Sequence, residues 1–201
     1  IEQNADVVVL QEINHDRASE LGALQRHYPW SQINLNKNRE AFGMAIFSKL
    51  PVSKFDYVDI GDGWNRYSLT ELSISGTKLH IYELHTPPPM SEEFFIQRNI
   101  SLKLLTDIIA KDTTPHRLLV GDLNTTIYSP YFQNILDRAK LHHAQQNYNI
   151  EGTWPDILPA PLRIGIDHIL ASKQIKIEKR VVAAKHGSDH MPVITTLSLY
   201  E

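Results

Sequence analysis

Five short runs of the sequence end in carboxylate, amide or imidazole side chains, and these are the groups that could do chemistry. The run from Leu118 to Asn124 ends in Asp122 and Asn124, with one leucine between them. Because the side chains of a strand alternate between its two faces, the two polar groups are predicted to share one face at the end of a buried strand. Open α/β sheets bind ligands at such strand ends. The alternative is a strand followed by an Asx-type turn with no further role.

The other four runs share one feature, an apolar or turn-forming stretch that becomes polar where it ends. Their terminal residues are Glu12, His85, the pair Asp167 and His168, and the pair Asp189 and His190. Each has an ordinary interpretation when taken alone, because acidic residues are mostly solvated wherever they occur. Chance does not easily supply the whole set, so we expect these residues to converge on one site.

The acidic members of the set predict a site for a hard divalent cation. Glu12, Asp122 and Asp189 supply carboxylate oxygens. Asn124 adds an amide, so the set is rich in oxygen. Hard cations prefer oxygen ligands over thiolate or imidazole. The expected cation is therefore Mg²⁺, Mn²⁺ or Ca²⁺.

The histidines predict acid–base chemistry beside that cation. His190 lies in a predicted loop and is free to meet Asp167 across the site, a pairing that would fix the tautomer of the ring and raise its basicity. His168 would point away from Asp167 in a strand, so its expected role is packing. Hydrolysis of a phosphate ester needs charge stabilisation, an aligned water and help for the leaving alkoxide. A metal on Glu12, the asparagine amide, and the imidazoles of His190 and His85 could meet these needs.

Composition excludes several other classes. The chain has 201 residues, no cysteine and a formal net charge of -3. There is thus no thiolate metal site, and no overall basic field that would attract nucleic acid or an anionic lipid surface. A Gly-x-Ser-x-Gly nucleophile motif and a Gly-rich phosphate loop are both absent from the sequence, which argues against a covalent serine mechanism and a nucleotide cofactor. No apolar run reaches the roughly 18 residues that span a bilayer.

Hydrophobic periodicity predicts a layered α/β domain. A continuous apolar run from Asp6 to Glu12 is typical of a fully buried strand. A hairpin is predicted around Ser75, and a helix of about five turns is predicted to begin after Ser91. Arg17 to His27 is predicted to form one short helix, and the adjacent histidines 142 and 143 are interpreted as ordinary surface, because neighbouring side chains face opposite ways. Strand, helix and strand in succession favour a layered arrangement.

Taken together, these motifs make the sequence resemble the endonuclease/exonuclease/phosphatase superfamily of DNase I-like proteins. The matching stretches occur in the family's order and cover nearly the whole chain. Each one is weak, but five in order are specific. The resemblance implies one α/β domain over residues 1–201, a four-layer sandwich of two packed mixed sheets with helices outside. The matching stretches are residues 5–12, 84–86, 121–124, 166–170 and 187–192.

The resemblance also implies roles for the acidic and amide residues. Glu12 would bind the metal, and Asp189 would support the metal or its waters. Asp122 would orient or deprotonate the attacking water. Asn124 would hold water or phosphate. These implied roles make the protein a Mg²⁺-dependent phosphoric ester hydrolase.

The histidines acquire roles by the same resemblance. His190, paired with Asp167, would steady the phosphoryl charge or carry a proton. His85 matches the histidine that some members use near the leaving group, and Glu40 is a candidate for its acidic partner. The expected substrate is a phosphodiester of nucleic acid, phospholipid or a small molecule, and no obligate protein partner is indicated. The alternative is a catalytically silent module that uses the same cleft to bind a phosphate-bearing ligand.

The beginning of the chain departs from the family pattern. Family members begin with a further strand that ends in an active-site Asn, followed by a helix, and this sequence starts at Ile1 after both. We therefore expect an N-terminally incomplete domain taken from a longer protein. Three stretches are most similar to uncharacterised bacterial members, which often carry short N-terminal transmembrane helices: His85 to Pro89, Thr153 to Pro155, and the ending of residues 187–192. The full-length protein is accordingly expected to be membrane-tethered.

Overall fold

The computed structural model describes residues 3–36, 42–60, 66–143 and 151–200. These residues form strands and helices that stack in layers, with a short 3-10 helix at Ala160–Leu162. In chain order the elements are β1 (Val7–Gln11), α1 (His15–Glu20), α2 (Gly22–His27), β2 (Trp30–Asn34), β3 (Met44–Ser48), β4 (Val52–Asp59), β5 (Arg66–Ile74), β6 (Thr77–Leu84), α3 (Glu92–Lys111), β7 (His116–Asp122), α4 (Pro130–Ala139), β8 (Leu141–His143), β9 (Asp167–Ser172), β10 (Ile175–Val182) and β11 (Val193–Leu199).

The largest sheet has six strands in the order β4-β5-β6-β7-β9-β8. Strands β6 and β7 run parallel, and the other neighbouring pairs are antiparallel. A parallel pair needs a long crossover connection, and here α3 provides it. Consequently β6 and β7 end at the same edge of the sheet, and the polar residues that follow them are brought together there.

Helices α3 and α4 cover one face of this sheet. Ser91 caps α3 by accepting a hydrogen bond from the backbone N–H of Phe94, as its sequence pattern predicts. Leu102, Leu105 and Ile109 recur at helical spacing and are buried in the core between the helices and the sheet. No helix in the described ranges is long and apolar enough to cross a membrane.

The other face of the six-stranded sheet packs against two smaller sheets, β1-β3-β2 and β10-β11. The side chains between the layers are apolar, among them Leu79, Leu118 and Val120 of the large sheet. A third apolar cluster joins β1 and β3 to the residues of α1 and α2 on the outer side. The predicted fold, two packed sheets with helices outside, is confirmed.

Three local predictions are wrong. Residues 7–11 form a strand, but all five are half-buried, because β1 is the outer strand of its sheet among the described residues. The single helix expected from Arg17 to His27 is two short helices that meet at Leu21. Histidines 142 and 143 are not ordinary surface. They belong to strand β8, and the half-buried His143 places its Nε2 at 3.1 Å from Nδ1 of His168.

Candidate functional site

Asp122 is the last residue of β7 and is held in place by a glutamine from another sheet. The Gln11 side chain accepts a hydrogen bond from the Asp122 backbone N–H at 2.6 Å and donates to the Leu84 carbonyl at 2.9 Å. It therefore ties the end of β1 to the ends of β6 and β7. Gly121 permits this close approach, since its φ is +140° and a Cβ there would lie 2.1 Å from the Leu84 carbonyl oxygen.

Asn124 lies beside Asp122 as the sequence predicts, but for a different reason. The strand ends at Asp122, and Asn124 has a φ of +43°. Its backbone N–H donates to Asp122 Oδ1 at 2.8 Å, and its side-chain Nδ2 lies 3.2 Å from Asp122 Oδ2. An Asx-type turn, rather than strand alternation, therefore places the amide next to the carboxylate. The Asn124 Nδ2 also donates to the Thr86 carbonyl. The Asn124 carbonyl in turn accepts a hydrogen bond from Nη1 of Arg98.

His190 lies between two carboxylates. Its Nδ1 is 2.9 Å from Asp167 Oδ2, and its Nε2 is 3.8 Å from Asp122 Oδ2. Burial alone would lower the pKa of His190, but the hydrogen bond and charge of Asp167, together with the charges of Asp122 and Asp189, raise it to about 9. The ring is thus a cation at neutral pH. Its Nδ1 is bound, and its Nε2 is too far from Asp122 for a good hydrogen bond.

Burial of Asp122 affects its acidity. Its residue surface is only 5% exposed. Burial raises the pKa of Asp122 above its ordinary value, and the charge of Asp167 raises it further. The positive charge of His190 acts in the opposite direction. A carboxylate with a raised pKa is a better base than a fully solvated one.

His85 and Glu12 form a second pair at this edge. His85 Nε2 lies 3.6 Å from Glu12 Oε1, which exceeds hydrogen-bonding distance. Both ring nitrogens of His85 are buried and lack a hydrogen-bond partner in the part of the chain that the structure describes. The ring stacks on Phe42 at 5.0 Å between centroids. Burial, assisted by the charge of His190, lowers the pKa of His85 to about 4. The ring is therefore neutral near pH 7 and can donate one N–H. Its suggested acidic partner Glu40 lies outside the described residues.

Asp189 is exposed and lies on the loop before β11. The indole Nε1 of Trp154 donates to its Oδ2 at 3.2 Å, and the Asp189 carbonyl accepts a bond from the Asp156 N–H at 2.7 Å. The neighbouring Thr153 hydroxyl accepts weak hydrogen bonds from the backbone N–H groups of Ile166 and Asp167. The segment from residue 153 to residue 156 therefore holds both the loop that contains Asp189 and the backbone at Asp167, where β9 begins.

His168 does not join the site. Its side chain is buried, and its Nε2 lies 2.8 Å from the Thr125 carbonyl. Burial lowers the pKa of His168 to about 4. This agrees with the packing role predicted for it. Of the predicted site residues, those that approach one another directly are the pairs His190 with Asp167, His190 with Asp122, Asp122 with Asn124, and His85 with Glu12.

The donor set can be tested for its fit to a cation. Within the described ranges, one group has ligand atoms all within 4.8 Å of one another, namely Asp122, Asp167 and His190. This is not the expected pair of Glu12 and Asp189. The oxygens of the group are already hydrogen-bonded, Asp167 to His190 and Asp122 to Asn124. We therefore interpret it chiefly as a hydrogen-bonded network.

Glu12 fits a cation better. Its side chain is 52% exposed, and its φ of +59° turns it out of the end of β1. Burial raises the pKa of Glu12, His190 lowers it, and the charges of Asp189 and Asp167 raise it again. Like charges close to a carboxylate that forms no hydrogen bond in the described parts of the chain favour a bound cation. The carboxylate oxygens suit a hard cation such as Mg²⁺.

Gln11 and Arg98 have positioning roles that the sequence did not predict, and Thr153 was indicated only as part of a segment that resembles the family. Gln11, Arg98 and Thr153 hold Asp122, Asn124 and the Asp167 backbone respectively. Gln11 gave the strongest signal, since it is a polar residue within the run that ends at Glu12. Arg98 gave no signal in the sequence, because its burial in α3 is seen only in the structure.

Comparison with known proteins identifies the family. A model of the "Endonuclease/Exonuclease/phosphatase family" matches residues 1–190. The chain belongs to this family. A search of curated protein sequences gives no match.

Three solved structures are similar to the chain, and each shares its fold. An endonuclease/exonuclease/phosphatase from Beutenbergia cavernae is 19% identical over 99% of this chain and 64% of its own, with a TM-score of 0.80. The human Nocturnin catalytic domain with a bound sulfate anion is 16% identical over 98% and 82%, with a TM-score of 0.79. An endonuclease/exonuclease/phosphatase from Bacteroides vulgatus is 18% identical over 98% and 86%, with a TM-score of 0.77. This chain thus spans less than two thirds of the first.

Proposed function

We propose that this protein hydrolyses phosphate esters, with a phosphodiester as its substrate and a divalent cation as its cofactor. The observation that carries the proposal is the position of His190, a half-buried cation whose Nδ1 is bound by Asp167 while its Nε2 lies 3.8 Å from Asp122. A positive N–H of this kind can stabilise the oxygens of a phosphoryl group. A carboxylate lies beside it that can accept a proton.

Asp122 is the proposed base or water-orienting group. Reaction requires that the attacking water be aligned with the phosphorus and lose a proton as its bond to phosphorus forms. The raised pKa of Asp122 suits this task near neutral pH. Its hydrogen bonds to Gln11 and Asn124 fix its orientation before substrate arrives.

His190 and His85 are proposed to act on the phosphoryl group and the leaving oxygen. His190 is a cation and would stabilise negative charge on a non-bridging oxygen. His85 is neutral, and a buried ring without a hydrogen-bond partner would gain one by donating to the substrate. Asn124 would hold water or phosphate beside Asp122, although its Nδ2 already contacts the Thr86 carbonyl.

The residues proposed to hold the cation are Glu12 and Asp189. The Glu12 carboxylate forms no hydrogen bond with the described residues, and the negative charge of Asp189 acts on it. A hard cation at this position would neutralise charge on the phosphoryl oxygens. Mg²⁺ is the proposed cation, with Mn²⁺ or Ca²⁺ as substitutes.

The class of substrate follows from charge and from one relative. A chain with a net charge of -3 has no general attraction for long duplex nucleic acid, whose binding depends on neutralising many phosphates. A compact phosphodiester of a nucleotide, a lipid headgroup or a small molecule is therefore favoured. The sulfate anion bound in the structurally similar Nocturnin catalytic domain is a tetrahedral oxyanion, as a phosphoryl group is.

Hydrolysis of bis(p-nitrophenyl) phosphate tests the proposal. We expect turnover in Mg²⁺, loss of turnover with a chelator, and recovery when Mg²⁺ is restored. Glu12→Gln should lower activity roughly 100-fold or more, because the carboxylate that holds the cation becomes neutral. Glu20→Gln is the matched control, since Glu20 is exposed on α1. Activity that survives the chelator, or equal activity in the two variants, would contradict the role of the cation.

The alternative is a binding module without catalysis. It predicts saturable binding of a phosphodiester, measured by titration calorimetry, with no turnover in any of the three cations. That result, obtained with folded protein, would replace the proposed hydrolase by a phosphate-ligand-binding protein.

A further inference from the structure

A cavity adjoins the candidate site and shares Asp167 with it. Its volume is about 240 Å³. Asp167, which binds His190 on the site side, is also part of the cavity wall. Pockets that enclose a whole small ligand are usually about 300–1,000 Å³, so this one is sized for a single group of a larger molecule. A substrate held at His190 could extend a neighbouring group into it.

Arg180 of β10 lines this cavity with a guanidinium that has few partners among the described residues. Its side chain is 7% exposed. The Nε is buried, and no group in the described ranges forms a hydrogen bond with it. Its Nη1 lies 3.5 Å from Glu151 Oε2, which is long for a charged hydrogen bond. Buried charges are normally paired and hydrogen-bonded, so this guanidinium has binding capacity that the described residues do not fill.

The surroundings of Arg180 leave its positive charge largely uncompensated. Glu151 is 54% exposed, so solvent screens its attraction. Burial lowers the pKa of His143 to about 3 and that of His168 to about 4, so both imidazoles in the wall are neutral. Asp167 contributes negative charge, but its carboxylate is already engaged by Nδ1 of His190 at 2.9 Å. A ligand with negative charge would complete the balance.

A second arginine in the wall behaves differently. Arg163 donates from Nε to the Leu158 carbonyl at 2.7 Å and from Nη2 to the Asp156 carbonyl at 3.1 Å. These bonds stabilise the loop between β8 and β9. Arg163 therefore adds positive potential to the cavity, whereas Arg180 supplies the unfilled donor.

We propose that this cavity binds a second anionic group of the substrate, a phosphate attached close to the ester that is cleaved, with Arg180 as its principal donor. The inference depends on the proposed hydrolase function for the substrate to be turned over, but not for the anion to be bound. It makes the preferred substrate a compact molecule with two phosphates rather than a diester with one. Thr126 and Tyr128 also line the cavity and place hydroxyl-bearing side chains near the same space.

Two chromogenic substrates that differ by one phosphate test the kinetic consequence. They are thymidine 5′-p-nitrophenyl phosphate and the same compound with an added 3′-phosphate. The wild-type protein should show a KM at least about tenfold lower for the compound with two phosphates, the effect of one or more charged hydrogen bonds. Arg180→Gln should abolish this preference and leave kcat for the simpler compound within about twofold. Equal KM values in the wild type, or a preference that survives in the variant, would overturn the proposal.

Two further variants guard against a purely structural effect. Glu151→Gln removes the only carboxylate that contacts Arg180 within the described residues, and it should strengthen the preference for the second phosphate because the guanidinium is released. Arg138→Gln is the matched control, since Arg138 is exposed on α4 and pairs with Asp107 away from the cavity. An unchanged preference in Glu151→Gln would count against Arg180 as the donor.

Binding of inorganic phosphate separates the two proposals. The test is an NMR titration with inorganic phosphate in the absence of metal. The Arg180 Nε–H resonance, assigned by its loss in Arg180→Gln or Arg180→Lys, should shift saturably as phosphate is added. A shift without turnover of either substrate would refute the hydrolase function and retain the anion site. No shift, with turnover intact, would refute the anion site alone.

Discussion

Two histidines of this protein each lie between two carboxylates, at opposite ends of the six-stranded sheet. His80 Nδ1 is 2.6 Å from Asp112 Oδ2, and its Nε2 is 3.0 Å from Glu71 Oε2. His190 Nδ1 is 2.9 Å from Asp167, but its Nε2 is 3.8 Å from Asp122. One imidazole is bound at both nitrogens and the other at one.

The surroundings extend this difference. The carboxylates beside His80 receive further hydrogen bonds, from Ser53 to Glu71 and from Tyr82 to Asp112. Near His190, by contrast, both nitrogens of the buried His85 are unpartnered among the described residues. An unsatisfied buried group costs stability, so a ligand that completed the His85 ring would recover that cost. An acid–histidine cluster is therefore interpreted by the hydrogen bonds it leaves open, and not by its composition.

The largest expected effect separates the two histidines by activity. His190→Ala should reduce hydrolysis of bis(p-nitrophenyl) phosphate by roughly 100- to 10,000-fold, because it removes the group that stabilises phosphoryl charge or moves a proton. His80→Ala should change kcat by less than about twofold. His27→Ala, an exposed position on α2, is the control. Similar losses in the His80 and His190 variants would end the distinction.

For stability, the two histidines are expected to differ in the opposite sense, with His80 contributing more than His190. His80→Ala should lower the free energy of unfolding by about 1–3 kcal/mol, since two carboxylates lose a shared hydrogen-bonding partner. His190→Ala should cost less, because its Nε2 forms no short bond. Urea denaturation followed by circular dichroism gives both values. A larger loss for His190→Ala would show that the site is held together by this ring.

The third and smallest effect is a pH dependence of stability at the His80 end. Hydrogen bonds from Ser53, His80 and Lys78 lower the pKa of Glu71 from 4.5 to about 2. A carboxylate with a lowered folded-state pKa contributes stability above its unfolded pKa and loses it as the pH falls through the folded one. We expect Glu71→Gln to flatten the decline of the thermal midpoint between about pH 4.5 and 2. An unchanged profile would mean that these hydrogen bonds do not favour the ionised form.

Much of the architecture could be predicted from the sequence because strand ends are marked by a change from apolar to polar residues. Asp122, Asn124 and His190 stand out for this reason, and the order of the motifs indicated the fold. The turn at Asn124 was predicted only as the alternative, since one leucine between two polar residues is compatible with both a strand and a turn.

The remaining features depend on contacts between distant residues. Gln11 binds the backbone of a residue 111 positions away, and no local pattern encodes such a pair. Arg180 lies in β10, where charged residues alternate with apolar ones, a pattern typical of a strand with one solvated face. In the structure its side chain is only 7% exposed and lies beside Glu151, which is 29 positions away. The roles of Gln11 and Arg180 depend on contacts between the layers of the fold, so they can be recognised only in the folded structure.

The central claim is that Glu12, Asp122 and His190 share one cleft that accepts a cation and a phosphoryl group. A crystal structure with Mn²⁺ and thymidine 5′-monophosphate tests it most directly, because Mn²⁺ is located by its anomalous scattering. The account predicts Mn²⁺ at the Glu12 carboxylate and a phosphoryl oxygen within hydrogen-bonding distance of His190 Nε2. Mn²⁺ bound only by Asp122, Asp167 and His190, or a phosphate seated away from both histidines, would contradict it.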